Sequence, residues 1–151
     1  MDGPRAFCSV RDMSDPFDLQ RFLDAQEPVY SRVVAELRAG RKQSHWMWFI
    51  FPQIEGLGVS AMTQKYAISS RAEAEAYLAH PVLGPRLREC AQLVASAKGS
   101  NITAIMGSPD DMKLKSSMTL FARATDDKAP FVAVLDRYYD GEEDSATIAR
   151  L

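Results

Sequence analysis

Two stretches of the chain hold side chains whose types and spacing suit chemistry. The first is Arg41-Lys42-Gln43-Ser44-His45-Trp46-Met47-Trp48-Phe49-Ile50-Phe51-Pro52-Gln53, which contains both tryptophans, two of the seven phenylalanines and one of the two histidines. Aromatic rings stack on flat bases, while ammonium and guanidinium groups meet phosphates. Trp48 beside His45 and the basic pair Arg41-Lys42 therefore suits a flat, anionic ligand such as a nucleotide. The second is Asp110, Lys113 and Ser117, which fall at i, i+3 and i+7 and share one polar row if the segment is helical. There Lys113 can hold a phosphate or carboxylate, Ser117 can donate a hydrogen bond, and backbone amides at the helix start favour an anion. Combining the two gives a small-molecule site. Lys42, Trp48, Tyr66, Lys113 and Ser117 are its ligand-binding residues, and His45 or Asp110 is the acid or base of a hydrolytic step.

Each of these features also has a plain structural reading. Aromatic runs are commonly core, with each ring removing roughly 150–250 Å² from water. A lone histidine is commonly a hydrogen-bonded structural residue. Asp110 with Lys113 makes an ordinary solvated pair worth a few tenths of a kcal/mol, and a Ser117/Lys113 nucleophile pair needs a desolvated lysine. His80 precedes Pro81 at a helix end, where an imidazole can meet terminal carbonyls. The two histidines lie far apart without metal-ligand spacing, so neither a metal site nor a cofactor is expected. Gly56-Leu57-Gly58-Val59-Ser60-Ala61 fits the G-x-G-x-x-A dinucleotide fingerprint, which demands a strand before it and a helix after it. Pro52 and Glu55 interrupt any such strand, so the glycines are read as a sharp turn out of the aromatic segment.

The elements that must position these residues all carry helical signals. Asp15 as cap, Pro16 at the first position and Asp18 in the first turn predict a helix from about Pro16 to Gln26. A second runs from Pro28, with Val29, Val33 and Leu37 on one stripe, to Gly40. Ser70-Arg71-Ala72-Glu73 is a capping box for a helix ending at Ala79-His80-Pro81. Leu83, Leu87, Cys90, Ala91 and Val94 follow helical spacing, and Asn101 caps a brief turn through Ile102, Ile105 and Met106 to Gly107. Ser108-Pro109-Asp110-Asp111 opens a helix whose Leu114, Met118 and Phe121 face inward. Asp126-Asp127 caps the next, which carries Phe131, Val134, Leu135 and Tyr138, and a last helix runs from Glu142 toward Leu151. Strict apolar alternation and hairpin signals are missing. The reading is all-α: one orthogonal bundle of short helices over residues 15–151, gathered around the tryptophan-bearing stretch, behind a flexible extension of residues 1–14. Met13 is an alternative start of translation.

Composition narrows the class. A chain of 151 residues with 46% hydrophobic and 25% charged residues is ordinary for one packed domain. The 18 Lys plus Arg against 20 Asp plus Glu leave a formal charge of -2, so the whole-molecule field does not draw in nucleic acid. Cys8 and Cys90 make no disulfide framework, the first residues lack a signal-peptide core, and the longest apolar run, Trp46 to Phe51, is far short of the roughly 20 residues of a membrane span. The expectation is a cytoplasmic monomer without nucleic-acid or membrane partners.

His45-Trp46-Met47-Trp48-Phe49-Ile50-Phe51-Pro52-Gln53, Gly56-Leu57-Gly58, Tyr66, the stretch from Glu73-Ala74 to Tyr77-Leu78, and Lys113 to Phe121 together resemble the uncharacterised bacterial family known as domain of unknown function 1810. The resemblance covers roughly Asp15 to Glu143 and implies an all-helical, cytoplasmic single domain; it implies no reaction. Genomes often label such proteins calpastatin, although an animal-type calpastatin is a disordered inhibitor and this composition builds a core. A fainter likeness in layout to helical domains that handle NAD or ADP-ribose derivatives adds ADP-ribose-like molecules to the ligand class. The rival reading is a non-enzymatic module that docks another protein through the Trp46 to Phe51 surface or the acidic C-terminal region, which requires an exposed apolar patch. Membrane-surface binding by Arg41-Lys42 and the aromatics would need a polar opposite face that this segment lacks.

Overall fold

Short polar residues set many of the helix boundaries in residues 15–151, the part of the chain described by the structure, a computed structural model. The expected extension of residues 1–14 lies outside the described residues. Asp15 Oδ1 accepts from the Leu19 amide at 2.7 Å and Oδ2 from the Gln20 amide at 3.0 Å, opening α1 (Gln20–Gln26). Residues 16–19 form turns, so this helix starts later than its proline suggests. α2 (Tyr30–Arg38) ends at Gly40, whose φ of 73° suits a residue without Cβ. α3 (Met47–Ile50) is a single turn of the aromatic segment. Ser60 caps α4 (Ala61–Lys65), and Ser70 caps α5 (Arg71–Ala79) through the Glu73 amide at 3.2 Å.

His80 departs from expectation. Its backbone is extended, as a residue before proline prefers, and Nδ1 accepts from the Val82 and Leu83 amides at 3.1 and 3.2 Å. The imidazole thus serves the start of α6 (Leu83–Ala95) rather than the carbonyls of α5. Asn101 caps α7 (Ile102–Met106) as predicted. Neither Ser108 nor Asp126-Asp127 caps: Pro109 and Lys128 occupy the cap positions of α8 (Asp110–Arg123) and α9 (Ala129–Tyr138), without side-chain caps. The last helix, α10 (Ser145–Ile148), is shorter than expected because Asp144 caps it, accepting from the Thr147 amide at 3.1 Å.

The fold is all-α, and among the described residues there is no strand. A lone parallel bridge joins Ile54 to Ile68, with the Glu55 amide donating to Ile68 O and the Ile68 amide to Gln53 O, each at 2.8 Å. Two helices organise the packing. α6 lies against α2, α5 and α9, and α8 lies against α5, α7, α9 and α10. Ser116 to Ala122 of α8 are consecutively buried, so the centre of the domain is α8 and not the tryptophan-bearing stretch. One turn of helix is too short to receive neighbours on every side; α3 packs chiefly on α1. Its side chains are core nonetheless, with Trp46, Met47, Phe49, Ile50 and Phe51 all buried. Rings connect the layers: Phe22 of α1 meets Tyr77 of α5 edge-on at 5.1 Å, Tyr77 meets Phe121 of α8 at 5.3 Å, and Phe121 meets Phe131 of α9 at 6.1 Å.

Candidate functional site

The aromatic segment is held by a carboxylate from the preceding helix. Glu36 of α2 accepts from the Gln43 amide at 2.8 Å, the Ser44 amide at 3.1 Å, the Ser44 hydroxyl at 2.6 Å and the Trp46 indole nitrogen at 2.9 Å. Burial pushes its carboxyl upward, but the Ser44 hydroxyl, the Gln43 amide, the Trp46 indole and the Ser44 amide together outweigh it, bringing the pKa from 4.5 down to about 2. A depressed carboxyl contributes stability above its unfolded pKa and loses it as the solution is acidified through the folded value. Discounted for solvent on its open side, Glu36 should supply about 2 kcal/mol that disappears between about pH 4.5 and pH 2. Urea unfolding across that window should be flatter with pH in Glu36→Gln than in the unaltered protein, and parallel curves would contradict this role.

A second tether joins the same loop to the start of α8. The Lys42 amide donates to Ile105 O at 2.7 Å, and Lys42 Nζ pairs with Asp110 Oδ2 at 2.9 Å with its side chain 8% exposed. Lys113, one turn along α8, stands 3.9 Å from Asp110 Oδ1. Each ammonium also faces an indole, Lys42 that of Trp46 at 5.1 Å and Lys113 that of Trp48 at 5.8 Å. Between them opens a cleft of about 310 Å³, lined by Lys42, His45, Met47, Trp48, Ser108, Pro109, Asp110 and Lys113.

Five of the residues singled out from sequence therefore share this cleft: Lys42, His45, Trp48, Asp110 and Lys113. His45 is exposed at its rim and Trp48 is half-buried. Tyr66 is not in the cleft. Its ring is buried between Phe22 and Phe49, at 5.8 and 5.4 Å, and it meets Trp48 and Lys113 only across a void of about 10 Å³, room for a single water. Ser117 does not line the cleft either. It falls within the fully enclosed part of α8, and its hydroxyl finds no hydrogen-bond partner. The expected polar row of Asp110, Lys113 and Ser117 thus runs from solvent into the core.

Other parts of the molecule offer less chemistry. A larger groove of about 550 Å³ runs beside the end of α8, but both of its arginines are already answered: Arg123 is gripped by both Glu143 oxygens at 2.8 and 2.7 Å, and Arg71 faces Glu75. Burial pushes the Cys90 thiol up to about 12, which leaves it a poor nucleophile. Burial of Trp46, Phe49 and Phe51 removes the apolar surface that docking through that segment requires. Among the described residues no helix is long and apolar enough to cross a membrane, and no three His, Cys, Asp or Glu side chains converge as metal ligands.

Sequence reasoning missed Glu36. It lies at the edge of the inward face defined by Val33 and Leu37, and its partners come seven to ten residues later, beyond the turn at Gly40. The acid-free run Arg41 to Phe51, with two indole donors to satisfy, was the available sign that a nearby carboxylate must serve it.

The fold and cleft define a small all-helical domain in which a one-turn aromatic helix faces the start of a long central one. The chain belongs to the family described as protein of unknown function (DUF1810), which matches residues 16–151. It is similar to the conserved hypothetical protein Rv1873 from Mycobacterium tuberculosis, whose crystal structure superposes with a TM-score of 0.89 at 61% identity over 91% of this chain and 98% of that one. No curated protein matches the chain.

Proposed function

We propose that the cleft between α3 and the start of α8 binds a small anion bearing a flat ring, nucleotide-like or ADP-ribose-like. The observation that carries this reading is the convergence of Trp48, Lys42, Lys113, Asp110 and His45, from two distant stretches of chain, on one opening of about 310 Å³. The half-buried indole offers a stacking face, and the ammonium of Lys113 offers a charge close beside it. Tyr66 and Ser117 lie outside the cleft and do not touch the ligand in this reading. Hydrolysis of the bound molecule would fall to His45 as proton carrier, because both Asp110 oxygens already face ammonium groups.

Stability measurements with AMP, 3′,5′-cyclic AMP and ADP-ribose test the reading. A ligand at about 100 times its dissociation constant should raise the unfolding free energy by roughly 2.7 kcal/mol. Lys113→Ala should abolish that increase while keeping the helical content of the unaltered protein. If none of the three compounds shifts the transition at millimolar concentration, the reading fails.

A further inference from the structure

We propose that the cleft accepts a monoanion of mononucleotide size and discriminates against polyphosphates, with Asp110 as the specificity-determining residue; this rests on the binding reading above. The argument is a count of charges. Lys42 and Lys113 bring two cations to the cleft and Asp110 brings one anion. The Lys42 ammonium is committed, held 2.9 Å from Asp110 Oδ2, nearly enclosed, and positioned against the Trp46 ring. Lys113 is the available one. It is 3.9 Å from the other Asp110 oxygen, 28% exposed, and 5.8 Å from the centroid of the Trp48 ring on which a flat ligand would stack. One phosphodiester or carboxylate oxygen pair is therefore balanced by Lys113. Each further negative charge is brought toward the Asp110 carboxylate with no third Lys or Arg in the lining to answer it, and that repulsion works against the wrong ligand.

Size points the same way. About 310 Å³ is the low end for cavities that enclose small molecules, enough for one base and sugar with a single charged group. A dinucleotide would leave half of itself in solvent.

Isothermal calorimetry at pH 8 and low salt, with adenosine, 3′,5′-cyclic AMP, adenosine 5′-carboxylate and ATP, tests the proposal. At least one of the two monoanions should bind about tenfold tighter than adenosine, as a charge-assisted contact allows, and which one does distinguishes phosphodiester from carboxylate recognition. ATP should bind more weakly than the better monoanion. In Asp110→Asn, folding being checked by circular dichroism, Lys42 is released and ATP should gain about tenfold relative to the monoanion. The series on the unaltered protein stands even if that variant does not fold. ATP binding as tightly as the better monoanion, or tighter, in the unaltered protein, no advantage of either monoanion over adenosine, or a folded Asp110→Asn with an unchanged ATP ratio would overturn the monoanion rule while leaving a binding cleft. No binding by any of the four would overturn both.

Discussion

Trp46→Ala should lower the free energy of unfolding by about 4 kcal/mol. The ring is 1% exposed, packs on Phe51 with centroids 6.2 Å apart, and receives the Lys42 ammonium on its face. Truncation leaves a ring-sized void beneath a one-turn helix that has few other contacts to collapse with, and it deprives Glu36 of one of four donors. Trp46→Phe separates the two contributions: it keeps most of the packing and should cost about 1–2 kcal/mol, the share of the indole hydrogen bond to a charged acceptor. Urea unfolding followed by far-ultraviolet circular dichroism reads both without depending on tryptophan emission. A loss below about 1 kcal/mol for Trp46→Ala would mean that the ring is not a structural anchor.

Gly84→Ala should destabilise the protein by about 3 kcal/mol, against the sign that helix propensity alone gives. Inside a helix, alanine is favoured over glycine by about 1 kcal/mol. At Gly84, however, an added Cβ would sit 2.1 Å from the Leu78 carbonyl oxygen and 3.0 Å from its carbon. Those atoms are backbone at the end of α5 and cannot rotate aside, so relief requires α5 and α6 to separate. Gly99 provides the control, because a Cβ there meets nothing within 4 Å and its φ is not in the left-handed region; Gly99→Ala should change stability by less than about 1 kcal/mol. Thermal unfolding of the two variants side by side checks the pair, and equal midpoints would refute the close-approach argument.

Helix identity was legible wherever a cap and a periodic stripe coincided. Ser70 with Glu73, and Asn101 with Ile102, Ile105 and Met106, both form the elements that their residues announce. Boundaries failed where a proline or acid was present but its geometry was not set locally: Pro16 sits in a turn, and Asp127 is engaged by Arg88 of α6 instead of capping α9. The cleft was legible through residue types, since Lys42, Trp48, Asp110 and Lys113 do meet. Periodicity within α8 could not show how deep that helix lies. Ser117 looked like the next member of an exposed row, and neighbours on all sides enclose it. The central place of α8 was hidden for the same reason: its buried stretch mixes Ser116, Ser117 and Thr119 with apolar residues, and the Thr119 hydroxyl is satisfied by Lys115 O and the Asp144 amide.

The loop from Arg41 to Trp46 is stitched down at both ends, by Glu36 on one side and by Ile105 and Asp110 on the other. A recess framed in this way has little freedom to remodel itself without unravelling the surrounding interior. Exchange of a rim side chain such as Trp48 or Lys113 would consequently reshape the opening while leaving the chain trace beneath it in place.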